Sequence, residues 1–240
     1  SSSQCLHLLI HGESHISRNP LDNDTELRDC STIVVAKVPE AIPIRKPVSI
    51  NASELTATRR IYVIGFNRCG TRSLTTAFKQ AGIGCVHWDR NQLMLAILSD
   101  LRRHGRINLQ THYPGSNAFL DLIHVPEHGK NGDHILCEGT LLHQHLIDSD
   151  PDAYFILNTR SVEGWLASRC RHLNGSFLEI YRQHLGRIKR KELDVDDVLL
   201  EWRRMWHQAH AEILSRFQCE PHLRSLVFDI ENTPYNILKQ

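Results

Sequence analysis

The sequence predicts an α/β fold with three layers, in which helices cover both faces of a central, mostly parallel sheet. Two observations carry this prediction. From Ile61 onward, short apolar runs of strand type alternate with segments whose apolar residues recur at helical spacing. Two of the runs, at residues 61–64 and 154–158, lead through a short polar turn directly into a helix. Strand–turn–helix units of this kind build parallel sheets that bind ligands at the carboxyl ends of their strands.

The elements follow in a regular order along the chain. The patterns predict strands at 61–64, 84–87, 134–138, 154–158 and 226–228, and helices at 71–81, 91–103, 140–148, 162–172 and 194–217. The last helix has the clearest apolar stripe, and Asp194 is its expected N-cap. Residues 104–133 and 173–193 show no usable period and are predicted to be irregular. We expect residues 1–60 to form a partly extended N-terminal arm and residues 61–240 to form the α/β domain.

Composition excludes several classes of protein. Lys and Arg number 28 against 27 Asp and Glu, and the resulting net charge of +1 provides no field that would recruit nucleic acid. No run of eighteen apolar residues is present, so no membrane span is predicted. The seven cysteines form no closely spaced pairs, which favours a reducing, cytoplasmic location. The chain starts without Met, so this prediction leaves room for a leader or anchor that has been removed.

The first motif, IYVIGFNRCGTRSLTTAF at residues 61–78, has the order strand, glycine-containing loop, helix. Such a loop surrounds an anion with backbone N–H groups and a helix N-terminus. Gly65 and Gly70 have the spacing of a nucleotide-triphosphate loop, but Thr71-Arg72-Ser73 follow where that loop requires Lys and then Ser or Thr. The loop is therefore predicted to bind a phosphate-like group without hydrolysing ATP.

The second motif, YFILNTRSVEGWLASRCRH at residues 154–172, places Arg160 at a strand tip and Ser168 two turns into the next helix. The guanidinium fork of Arg suits a phosphate, and Ser offers a hydroxyl. Two strand tips that each face an anion indicate a ligand with two separate phosphate-like groups.

Together the motifs resemble the P-loop sulfotransferases, and in particular the divergent, bacterial-type members. The resemblance runs from about Ile61 to Ile230. It implies transfer of a sulfuryl group from 3′-phosphoadenosine 5′-phosphosulfate (PAPS), with 3′-phosphoadenosine 5′-phosphate (PAP) as product, and no metal. It also implies a cradle for the 5′-phosphosulfate and a 3′-phosphate site at Arg160 and Ser168. The cradle residues are Arg68, Cys69, Gly70, Thr71, Arg72 and Ser73. The chain departs from the family where Asn67-Arg68 stand in place of a common Lys, and where Ser161 stands in place of a common Asp.

The residue that removes the acceptor proton is open at this stage. Asp121 is the first candidate, because it resembles a carboxylate that some divergent members place in this segment. His87, at the end of a predicted strand, is the second candidate, and Glu138 is the third. Arg68 is expected to supply positive charge to the moving group.

The acceptor is expected to be a hydroxyl or amine of a small molecule or glycan, bound by residues 104–133 and 173–193. The sequence leaves its identity and the oligomeric state open. Two other functions are weighed against this one. A non-catalytic nucleotide-binding or scaffold protein of the same fold is favoured by the missing lysine. A nucleotide kinase is disfavoured by the missing lysine and by the lack of a clear magnesium-binding Asp.

Overall fold

The computed structural model describes residues 59–126 and 136–233. The predicted arm, apart from Arg59 and Arg60, lies outside the described residues and remains a prediction.

The core of the domain is a five-stranded sheet whose strands are all parallel. It consists of β1 (Ile61–Val63), β2 (Cys85–His87), β3 (Ala118–Leu120), β6 (Tyr154–Thr159) and β7 (Arg224–Asp229), in the order β2-β3-β1-β6-β7. Tyr62 of β1 stands opposite Phe119 of β3 and Phe155 of β6. Two very short strands, β4 (Ile123–His124) and β5 (Cys137–Glu138), pair antiparallel beside this sheet.

The helices of the described residues connect these strands and form the outer layers. They are α1 (Thr71–Gln80), α2 (Gln92–His104), α3 (His143–Ser149), α4 (Val162–Cys170), α5 (Ser176–Lys189) and α6 (Val195–Cys219). Short 3-10 turns at Gly139–Leu142 and His172–Gly175 precede α3 and α5. The predicted cap is confirmed, because Asp194 and Asp197 form a reciprocal capping box at the start of α6.

Alternation along the strands gives the sheet two buried faces. Ile61 and Val63 point to one face, where they pack with Leu74 and Phe78 of α1. The intervening Tyr62 points to the opposite face and stacks on Phe119 and Phe155 with ring centroids 5.6 Å apart in each pair. Both faces are apolar, as expected for a parallel sheet that is covered by helices on both sides.

A second apolar cluster joins α4, α5 and α6 to the loop that follows β1. It contains Trp165, Phe177, Tyr181 and Trp202, all of which are almost fully buried, together with Phe66 of the loop. This cluster fixes the three helices against the end of the sheet where the glycine loop lies.

Three predictions about elements are corrected. The described part of the predicted strand 134–138 contains β5, which pairs antiparallel with β4 and lies outside the parallel sheet. The segment 104–133, predicted to be irregular, supplies the three-residue strand β3 between β2 and β1. The segment 173–193, also predicted to be irregular, contains the fourteen-residue helix α5. A three-residue strand is too short for its period to be read, and the glycines at 175 and 186 interrupted the helical pattern of α5.

Candidate functional site

The five parallel strands end at one edge of the sheet, and the residues predicted to be functional follow those ends. His87 ends β2, Asp121 follows β3, the glycine loop follows β1 and Arg160 follows β6. Beyond them, Glu231 comes shortly after the end of β7. Because ligands of open α/β sheets bind at this edge, the topology collects these groups into one candidate active site.

Asn158 of β6 holds the glycine loop in shape. This fully buried side chain accepts a hydrogen bond from Gly65 N–H at 2.9 Å and donates one to the Cys69 carbonyl at 2.9 Å. Gly65 packs so tightly that a Cβ atom there would lie 2.0 Å from the Asn158 carbonyl oxygen. Trp165 Nε1 also donates to the Asn67 carbonyl at 3.0 Å. These hydrogen bonds fix the path of the loop between β1 and the helix that follows it.

Gly70 joins the loop to α1. It has a φ of 80°, in the left-handed region that favours glycine, and a Cβ atom there would lie 2.7 Å from Ile230 Cγ2. The first helical hydrogen bond runs from Leu74 N–H to the Gly70 carbonyl at 3.0 Å. The N–H groups of residues 71–73 precede it and have no partner within the helix. This end of α1 is therefore suited to an anion.

The side chains of the loop divide into two kinds. Cys69 is fully buried in the aromatic cluster, and burial raises the pKa of its thiol to about 12. Only its backbone can therefore contact a ligand. Arg68 is partly exposed, has a φ of 66°, and donates from Nε to Ser168 Oγ at 3.2 Å. Ser168, predicted beside Arg160, thus contacts the glycine loop through Arg68.

Asp121 and His87 come together beside the loop. His87 Nε2 lies 3.6 Å from Asp121 Oδ2 and 3.1 Å from Thr71 Oγ1. Both side chains are largely covered, with 24% and 17% of the His87 and Asp121 side chains exposed. The other carboxylate oxygen, Asp121 Oδ1, is buried and accepts no hydrogen bond from the described part of the chain.

Burial changes the proton affinities of Asp121 and His87 in opposite directions. It raises the pKa of Asp121 to about 6, and the nearby Glu138 carboxylate adds to the rise. For His87, burial lowers the pKa, and the cations Arg72 and Lys79 lower it further. At neutral pH both groups are therefore ready to accept a proton.

Arg160 is engaged by a carboxylate of its own chain. Its Nη2 and Nε lie 2.7 and 3.1 Å from Glu231 Oε1. Glu231 Oε2 accepts a further hydrogen bond from Ser161 N–H at 3.0 Å, at the start of α4. Ser161, which stands where the common Asp was expected, caps this helix by accepting from Gly164 N–H.

Glu138, the third candidate base, is held in a buried ion pair. Its carboxylate accepts hydrogen bonds from Arg169 and from the Tyr181 hydroxyl. The Arg169 guanidinium carbon lies 4.5 Å from the ring centroid of Trp202 and 4.6 Å from that of Trp165. Arg169 and Tyr181 therefore hold the Glu138 carboxylate in place within the aromatic cluster.

A model of the sulfotransferase domain family matches residues 60–232, which is most of the chain. The protein belongs to the sulfotransferase domain family. A search of curated proteins gave no significant match.

The described part of this sulfotransferase contains neither a metal-binding cluster nor a membrane-spanning helix. It contains no group of three or more His, Cys, Asp or Glu residues arranged to hold a metal ion. None of its helices combines the length and the apolar character that a membrane span requires.

Two residues at the site of this sulfotransferase were missed from the sequence. Asn158 gave a usable signal, because it is a lone amide at the end of the apolar run YFIL. Glu231 gave a weaker signal, since an acidic residue shortly after a strand is common on any protein surface. What connects Glu231 to Arg160 is the parallel pairing of β6 with β7.

Proposed function

We propose that this chain transfers a sulfuryl group from PAPS to a hydroxyl or amine of a small-molecule or glycan acceptor. The observation that carries the proposal is the order of the groups along the sheet edge. His87 ends β2, Asp121 follows β3, the anion loop follows the central β1, and Arg160 follows β6. The reaction requires this order: the base beside the acceptor, then the loop that binds the 5′-phosphosulfate, then the cation that binds the 3′-phosphate.

The donor fits the half of the edge that is built by β1 and β6. The start of α1 and the loop offer N–H groups to a 5′-phosphosulfate, and Arg160 offers a guanidinium to a 3′-phosphate. Neighbouring strands are about 4.8 Å apart. The loop and Arg160 follow the adjacent strands β1 and β6, so one nucleotide with a 5′- and a 3′-phosphate is expected to reach both.

The acceptor fits the other half, built by β2 and β3. There Asp121, with His87 beside it, takes the proton from the acceptor hydroxyl as that oxygen attacks sulfur. The bond between sulfur and the bridging phosphate oxygen breaks, and the 5′-phosphate leaves with the electron pair. Because Asp121 and His87 lie 3.6 Å apart, we expect them to titrate as a coupled pair.

Arg68 and Thr71 complete the proposed centre. Arg68 supplies positive charge to the moving sulfuryl group in place of the lysine that is common in the family, and Ser168 orients it from 3.2 Å. Thr71 bonds His87 on one side and begins α1 on the other. It therefore connects the proposed base to the proposed cradle. Arg72 and Ser73 are exposed in the first turn of α1 and are able to contact the donor.

Calorimetric titration with PAP, and with AMP as the matched ligand that lacks the 3′-phosphate, tests the donor assignment. We expect PAP to bind more tightly than AMP, since charged hydrogen bonds contribute about 1.5–3 kcal/mol each. Arg160→Ala should remove this preference and leave the fold intact, and Arg160→Lys should restore only part of it. Equal affinities of the unmodified protein for PAP and AMP would refute the PAPS assignment.

Transfer of labelled sulfate from PAPS to a panel of sugars, phenols and alcohols tests the catalytic assignment. Asp121→Asn should lower turnover by roughly 10²–10⁴ and leave PAP affinity unchanged, with His87→Ala next in severity. Full activity in both variants would exclude them as the base. If the unmodified protein binds PAP and transfers to no acceptor of the panel, the non-catalytic alternative is supported instead.

A further inference from the structure

Glu231 occupies hydrogen-bond donors of Arg160 and Ser161 that would otherwise be available to a bound phosphate. One carboxylate oxygen receives both Nη2 and Nε of Arg160, at 2.7 and 3.1 Å. The other oxygen receives the backbone N–H of Ser161 at 3.0 Å, at the beginning of the nine-residue helix α4. A guanidinium fork beside a helix N-terminus is a strong anion site, and here an internal carboxylate fills it.

The Glu231 side chain is not needed to hold its own backbone segment. Ile230 N–H donates to the Thr159 carbonyl at 2.9 Å, and Glu231 N–H donates to Asp229 Oδ1 at 2.8 Å. Asp229 N–H donates to Thr233 Oγ1 at 3.0 Å. These bonds anchor the chain after β7 without the Glu231 carboxylate, so that carboxylate is able to leave Arg160 while the segment stays in place.

The electrostatics of the site favour an anion under all physiological conditions. The N–H of Ser161 and the Arg160 guanidinium hold the pKa of Glu231 well below its usual range, so protonation does not release it. About a third of the Glu231 side chain and a quarter of the Arg160 side chain are exposed. A ligand therefore reaches the pair from solvent and has to exchange one anion for another.

We propose that Glu231 is an internal anion that occupies the 3′-phosphate subsite and that sets how strongly the enzyme discriminates for a 3′-phosphate. The inference rests on the proposed function, because it assigns the subsite to the nucleotide donor. A phosphate carries up to two charges and three acceptor oxygens, so it displaces a carboxylate from a guanidinium fork. A nucleotide without the 3′-phosphate gains nothing from that exchange and leaves Glu231 in place.

The test compares the ratio of AMP to PAP dissociation constants in four proteins by calorimetry. They are the unmodified chain, Glu231→Gln, Glu163→Gln, and the double variant Arg160→Ala with Glu231→Gln. Glu163 is the matched control, since it lies in the first turn of the same helix but pairs with Arg203 at 3.1 Å. Glu163→Gln removes a negative charge from the start of the same helix and leaves the pair of Arg160 with Glu231 intact.

We expect Glu231→Gln to raise the ratio about five- to tenfold, through tighter PAP binding and unchanged AMP binding. The Glu163→Gln ratio should stay within about twofold of the unmodified value, as for an exposed pair. The double variant should lose the preference for PAP.

A preference for PAP that is unchanged or weakened in Glu231→Gln would overturn the inference, because Glu231 would then orient Arg160 rather than compete for it. An equal rise in Glu163→Gln would overturn it as well, since the effect would then be general electrostatics. If neither the unmodified chain nor Glu231→Gln prefers PAP over AMP, the donor assignment fails and the inference fails with it.

Discussion

Asp121→Asn is expected to make the protein more stable while it removes activity. The backbone at Asp121 has a φ of 58°, in the left-handed region that Asp and Asn both tolerate better than other non-glycine residues. The substitution therefore keeps the shape and backbone conformation of the residue, and it changes only the charge of a side chain that is 17% exposed.

The size of the effect follows from the pKa of the carboxyl group. Folding raises that pKa from 3.8 to about 6, mainly through burial. This rise in pKa corresponds to at most about 3 kcal/mol of lost stability when the carboxyl group is ionised. Between pH 4 and pH 6 the folded protein holds a proton that the unfolded chain has lost, so the free energy of unfolding falls as the pH rises through this window. Above pH 6 the loss is complete, and below pH 4 it is absent.

Urea denaturation of both proteins at a series of pH values between 4 and 7.5 measures this difference. The advantage of Asp121→Asn should grow from near zero at pH 4 to about 2–3 kcal/mol at pH 7. Asp152→Asn is a suitable control, because that side chain is 89% exposed and should show no such trend. A difference between Asp121→Asn and the unmodified protein that is constant across the series would refute the assigned cost of ionising a buried carboxylate.

Three further substitutions test other contacts of the site. Asn158→Ala should lower the free energy of unfolding by about 2–3 kcal/mol and weaken PAP binding, because the glycine loop loses its buried hydrogen bonds to this side chain. Unchanged PAP affinity in calorimetry would contradict this prediction. Arg169→Met should lower the free energy of unfolding by about 3–5 kcal/mol in chemical denaturation, because it leaves the Glu138 carboxylate buried without its ion-pair partner. Adding Glu138→Gln should recover part of this loss; if the two substitutions are additive, the side chains act independently. Arg68→Ala should impair turnover and PAP affinity together, whereas a defect in turnover alone would place its side chain away from the donor.

The parts of the fold that could be predicted are those whose signals are local. Apolar runs followed by polar turns predict the strand that ends at Val63, the glycine loop after it, and the strand that ends at Thr159. The long helix α6 was predicted within two residues of its bounds, because its stripe is long and its first residue is capped by Asp194. The alternation of these units was enough to predict a parallel sheet with helices on both faces.

The rest depends on contacts between distant parts of the chain. The proximity of His87 and Asp121 requires β3 to lie beside β2, and no local pattern in Ala118–Leu120 encodes that pairing. The buried contacts of Glu138 are formed with Arg169 and Tyr181, which approach it from two later helices. Ser168 was predicted from its distance to Arg160 along the chain, yet its bond to Arg68 crosses one hundred residues.

The two hydrogen bonds between Asn158 and the glycine loop also have a consequence for how the protein folds. Gly65 and Asn158 are 93 residues apart, so the loop acquires its shape only after β1 has paired with β6. If the strands paired out of register by one residue, Asn158 would turn to the other face of the sheet, and the loop would lose both hydrogen bonds. Contacts over such separations form late, because the entropy of closing the intervening chain must be overcome first. During synthesis the loop therefore cannot take this shape until β6 has emerged, when more than half of the domain has been made.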